Sequence, residues 1–171
     1  MRKGDTALIG MILALVFIIV GLIGPWYSFS FLGISGSFGL FGAEIGGIST
    51  GYDQMGVYDR GPIDIIKFLT VIACIFTIIV IIAILGIKYN FGNVNTMSLI
   101  GGIFGIFTFL FSIIAVIYFM VLDTWESIGF LSKIGGPGYA WYMMIIAAII
   151  ALISSMTLFK KTSSPNMKLS E

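Results

Sequence analysis

Hydrophobic and polar positions in this chain fall into long blocks. Four uncharged apolar runs stand out, Ala7–Gly24, Phe68–Ile87, Ser98–Leu122 and Tyr139–Phe159, with 18, 20, 25 and 21 residues. At 1.5 Å per residue these make helices of about 27 to 38 Å, which brackets a hydrocarbon core of about 30 Å. Each run is apolar all round, and 171 residues cannot enclose four such helices in a soluble shell. The pattern predicts an all-α membrane protein, a four-transmembrane-helix bundle forming one integral membrane domain over residues 1–171. The spans are expected at about 7–24, 65–87, 98–122 and 139–159. Arg2 and Lys3 ahead of the first run would suit a signal peptide. The run is longer than the usual signal core, lacks an A-x-A-like site and is followed directly by Pro25, so the helix is expected to be retained.

The connections are unequal. Lys88–Met97, with Asn90, Gly92, Asn93 and Asn95, reads as a tight polar turn. Residues 25–64 and 123–138 form the two loops on the opposite side, and Gly135-Gly136-Pro137-Gly138 reads as a stop before the last helix. The longer loop is too long to be structureless. In its first half Tyr27, Phe29 and Phe31 alternate with Ser28, Ser30 and Leu32, and beyond Gly33 the residues Ser35 and Ser37 oppose Ile34, Gly36, Phe38 and Leu40. Alternation with a period of two predicts a small extracytoplasmic β-hairpin, although glycines at 33, 36, 39 and 42 weaken it. Residues 46–61 read as a turn-rich, acidic second half.

Basic residues set the expected orientation. Arg2, Lys3, Lys88, Lys160, Lys161 and Lys168 lie on one side, Arg60, Lys67 and Lys133 on the other, which places both termini in the cytoplasm of a multi-pass protein of the cell membrane. Only 10% of residues are charged, against about 25% in a soluble domain. The chain has no His, which removes the commonest metal ligand and general base. Its one cysteine, Cys74, can form neither an intrachain disulfide nor a thiolate metal site alone. No cofactor is predicted, and a net charge of +1 without a basic cluster predicts no nucleic-acid partner.

Few motifs suggest chemistry. Gly47-Ile48-Ser49-Thr50-Gly51 matches the G-x-S-x-G nucleophile pattern, but no His can take the serine proton, so a Gly/Ser turn is expected and no enzyme. Glu44, Asp53, Asp59 and Asp64 lack EF-hand spacing and read as solvated carboxylates. Asp64 and Lys67, three apart at the start of the second helix, read as an interfacial pair. Small residues recur four apart at Gly10 and Ala14, at Gly101 and Gly105, and at Ala147 and Ala151, a spacing that lets membrane helices pack closely within the chain or against a second copy. Trp26, Tyr27, Trp125, Tyr139, Trp141 and Tyr142 fall where an outer aromatic belt belongs. Trp26, Tyr27, Phe29 and Phe31 offer more aromatic surface than a lone hairpin can bury, so the rest of the loop, lipid headgroups or a partner protein should cover it.

Pro25-Trp26 after the first helix, Gly39-Leu40-Phe41 and Arg60 before the second, set in a four-span chain with a long first outer loop, resemble the claudin and peripheral-myelin-protein superfamily. The family has Gly-Leu-Trp followed by two cysteines; here Phe41 stands for the Trp, and Gly42 and Ala43 follow, so the disulfide that braces the family's sheet has no counterpart. The resemblance implies topology and a strand-bearing outer loop. The expected function is non-catalytic: a structural or interaction role through the outer loop, or as an accessory subunit of a membrane complex, with the lipid bilayer and other membrane proteins or a second copy as partners. The alternative is an oligomeric channel or transporter component lined by Thr70, Thr77, Thr108, Ser112, Ser154, Ser155 and Thr157.

Overall fold

A computed structural model describes residues 3–52, 61–121 and 135–162. In chain order the elements are α1 (Lys3–Ile23), β1 (Pro25–Phe31), β2 (Ile34–Gly39), β3 (Gly42–Ile45), β4 (Ile48–Gly51), α2 (Gly61–Lys88), α3 (Val94–Val121), β5 (Gly135–Pro137) and α4 (Tyr139–Thr162). Four of the helices are long and apolar enough to cross a membrane.

Their ends follow from local chemistry. Pro62 and Asp64 open α2 four residues before the expected span, and Lys88 closes it, so opposite charges sit at the two ends of its dipole. Asn90 turns the chain with a left-handed φ of 57°. The Asn93 side chain then accepts the Asn95 N–H at 2.9 Å and starts α3 at Val94, ahead of the expected residue 98.

The helices pack in a ring in which α1 touches α2 and α4, and α3 touches α2 and α4. Small residues line the contacts and large aliphatic ones face outward, as with Ile82 and Ile153. All six small residues picked out above lie at such contacts. Ala14, Ala147 and Ala151 are fully buried. A Cβ on Gly10 would stand 2.7 Å from Ser154 Oγ; one on Gly101 would stand 2.9 Å from Leu158 Cδ1, and Gly105 abuts Ser155. Buried hydroxyls turn back on their own helices: Thr70, Thr77, Thr108 and Ser155 donate to the carbonyls of Ile66, Ala73, Phe104 and Ala151.

The expected hairpin is present as β1 and β2, with Phe31 opposite Ile34 across a Leu32-Gly33 turn. It is part of a larger object, a five-stranded antiparallel sheet ordered β4-β3-β2-β1-β5. Two expectations change. The chain after Gly42 forms a second hairpin, β3–β4, whose Gly46-Gly47 turn has φ values of 59° and 82°, the doubly positive pair a two-residue turn requires. Gly135–Pro137, expected as a helix stop, pairs with Tyr27–Phe29 as β5, so the second loop closes the sheet built by the first. Glycine inside the strands is accommodated rather than disruptive, since the Phe29 ring lies over Gly36 directly across from it.

Candidate functional site

The sheet is pinned to the helices through the first residues after α1. The Gly21 carbonyl would ordinarily accept from the N–H four residues on, but that residue is Pro25, which has none. Trp26 supplies the missing donor: its Nε1–H bonds Gly21 O at 2.6 Å, and its ring, 1% exposed, packs on Phe119 with centroids 5.2 Å apart. A bulge between Pro25 and Tyr27 allows these successive aromatic residues both to be buried. Between β5 and α4, Gly138 N–H donates to Trp26 O at 2.7 Å.

Beyond the bulge the register divides the sheet into two faces. One carries Tyr27, Phe29 and Phe31 with Phe38, Ile45 and Ile48; the other carries Ser28, Ser37, Glu44 and Ser49 side by side across four strands. On the apolar face Tyr27 (6% exposed) and Phe29 (8%) meet Phe38 at centroid distances of 6.2 and 6.1 Å. Trp26, Tyr27 and Phe29 therefore belong to the chain's own core, which supplies the cover left open above, and Phe31 alone of the four remains exposed.

Exposure concentrates at the two turns farthest from the helices. Leu32 is 85% and Ile48 70% exposed, with Ile34, Ile45 and Phe31 beside them, and the Gly46 N–H donates to Ser35 O across the two hairpins. Leu32 also holds a φ of 49°. That conformation is uncommon for a bulky residue, and this position normally takes Asn, Asp or Gly.

At the near end, an open groove of about 460 Å³ runs between the serine face and the ends of α1 and α4. Ser37, Glu44 and Ser49 line it from the sheet, and Ile23, Phe41 and Tyr139 from its apolar margins. Glycines at 39, 42 and 51 also line it, and a Cβ on Gly51 would meet nothing within 4 Å. Lys67 lies over the Phe41 ring, 4.9 Å from its centre, and 3.4 Å from Asp64. A hydrogen bond from Tyr52 Oη to Gly39 O ties the end of β4 back to β2. Burial pushes the Tyr52 phenol up to about 12 and also raises Tyr27, the latter opposed by a backbone hydrogen bond at Gly135. The neutral phenol is thus the folded form. Stability is fully present below pH 10 and falls as the pH rises from 10 toward 12, because the unfolded chain ionises first. Ultraviolet titration of Tyr52→Phe against the parent should remove one late-ionising tyrosine and shrink that alkaline loss.

The remaining candidates are dispersed. Ser49 is an exposed strand residue opposite Glu44, not the strand-to-helix elbow of the nucleophile pattern. Glu44 and Asp64 sit on β3 and α2; Asp53, Asp59, Arg60 and Trp125 lie outside the described residues. Tyr139 and Tyr142 are half exposed at the start of α4, whereas Trp26 and Tyr27 have left the expected belt for the core. Leu32, Ile45 and Ile48 were not singled out by the sequence pattern, although Gly46-Gly47 between two isoleucines is itself a hairpin signal. No protein-family model matches this sequence, and no curated protein matches it.

Proposed function

We propose that the chain is a non-catalytic, multi-pass protein of the cell membrane, with both termini cytoplasmic, whose extracytoplasmic sheet engages another membrane protein. Leu32 carries this reading. A large aliphatic side chain held in a left-handed turn and 85% exposed costs stability twice, once in backbone strain and once in unburied apolar surface. Neither cost serves the fold of this chain, and both fit a residue presented to a partner. Ile48 and Ile34 extend the same patch.

The bundle supports the non-conducting version of this reading. Its described interior holds no charged side chain, and most of its buried hydroxyls are engaged by their own helices. The order of elements, four helices with a sheet drawn from both connections at one end, also suits the claudin-like resemblance, which we retain as a proposal.

Leu32→Ser combined with Ile48→Ser should leave expression and thermal stability in detergent within about 1 kcal/mol of the parent, since neither side chain is covered. Copurification of the partner from solubilised membranes should fall at least severalfold. Unchanged copurification would remove recognition from this patch. In a Cys74→Ala background, Ser30→Cys should react with a membrane-impermeant thiol reagent in intact cells; labelling only after permeabilisation would reverse the orientation.

A further inference from the structure

We propose that the groove between the serine face of the sheet and the ends of α1 and α4 seats the headgroup of a zwitterionic phospholipid bearing a primary ammonium. This inference rests on the reading of the four helices as membrane spans. In that setting Ile23, at the last turn of α1, and Tyr139, at the first of α4, both well exposed, lie at the depth where acyl chains give way to headgroups. The groove opens beside them and runs up the sheet. A lipid lying against α1 and α4 has its headgroup at the groove's mouth.

The chemistry of the walls selects among headgroups. Glu44 is the acidic side chain lining the groove, and no Lys or Arg among the described residues lines it, so the complementary ligand group is a cation. Ser37 and Ser49 flank Glu44 on the neighbouring strands, one on each side in register. A carboxylate between two hydroxyls offers several acceptors, which a primary ammonium with three N–H donors can use and a quaternary ammonium cannot. Phe41 and Tyr139 add ring faces, to which cations are attracted; Lys67 already occupies such a position on Phe41. Lys67, paired with Asp64 at 3.4 Å, sets a positive charge beside the groove and Glu44 a negative one inside it, a pattern that suits the phosphate and the ammonium of one zwitterion. An anionic headgroup would meet Glu44 without a compensating cation among the described residues that line the groove.

Gly51 faces the open part of this space. A Cβ on Gly51 would meet nothing within 4 Å, although the residue lines the groove. Gly51→Leu therefore fills the site from a position where the added atoms touch no described part of the protein, and Glu44→Gln removes the charge at an exposed strand position. Both changes leave the core untouched.

The test uses the full-length protein in nanodiscs of phosphatidylcholine mixed with equal shares of phosphatidylethanolamine and phosphatidylglycerol, with retained lipid counted by native mass spectrometry after release. The parent should retain phosphatidylethanolamine over both other lipids. Glu44→Gln should lower that preference about tenfold, the size of one charge-assisted hydrogen bond. Gly51→Leu should abolish it, with unchanged circular dichroism. Equal retention of the three lipids, or a preference that survives both substitutions, overturns the proposal. A preference for phosphatidylcholine that Glu44→Gln removes would also overturn it, by assigning the site to a quaternary ammonium. Protein that fails to enter nanodiscs would instead overturn the membrane reading itself, so the two failures are distinguishable.

Discussion

Gly138→Val is expected to abolish folded, monodisperse protein. Gly138 lies where α4 meets the first strand, and its N–H donates to Trp26 O at 2.7 Å. A Cβ there would press on the Pro25 carbonyl oxygen and stand 2.8 Å from the Pro25 carbonyl carbon and 3.1 Å from that of Trp26. These are backbone atoms that β1 pairing and the Trp26 anchor hold in place, so no side chain can rotate aside to relieve the contact. Overpacking against movable neighbours costs about 1–3 kcal/mol, and a clash with backbone should reach or exceed the upper end. The measurement is size-exclusion profile and thermal unfolding in mild detergent. Gly136→Ala is the internal control: a Cβ at Gly136, two residues away, meets nothing within 4 Å, and the variant should stay within about 0.5 kcal/mol of the parent. Equal tolerance of both changes would show that the junction between α4 and β1 is not tightly determined.

Trp26→Ala should be the most damaging truncation of a single side chain. It removes the largest fully buried side chain among the described residues, together with its packing on Phe119, and it leaves the Gly21 carbonyl without a donor because Pro25 cannot supply one. Large-to-small changes of an aromatic core residue cost about 3–5 kcal/mol. Trp26→Phe separates the two contributions. It keeps much of the apolar ring but loses the indole N–H, and leaving one buried carbonyl unpaired costs about 1–3 kcal/mol. Thermal or denaturant unfolding in detergent should therefore rank the parent above Trp26→Phe and Trp26→Ala last. If Trp26→Phe matched the parent, water or a rearranged helix end would be satisfying Gly21, and the capping role would be lost while the packing role stood.

Four long apolar helices and the first hairpin are properties of local pattern, and the sequence alone determined them. Helix length and all-round apolarity are counted along one segment. Alternation in Tyr27–Phe31 follows from the two-residue period of a strand, and the spacing of Gly10, Gly101, Gly105 and Ala147 from the helical repeat. What only the tertiary structure decided depends on residues far apart in the chain. Alternation reveals two faces to a strand, but not which is covered; Tyr27 and Phe29 became core because Phe38 packs beside them on the same face, while Phe31 passed beyond that cover. Gly135–Pro137 looks like a helix stop in its own context and becomes a strand only because β1 stands beside it, with glycine accommodating the nearby Tyr27 hydroxyl. The groove was invisible for the same reason. Its lining joins the end of α1, four strands and the start of α4, and Ser37, Glu44 and Ser49 share one face of it, a coincidence that strand pairing, and not chain order, produces.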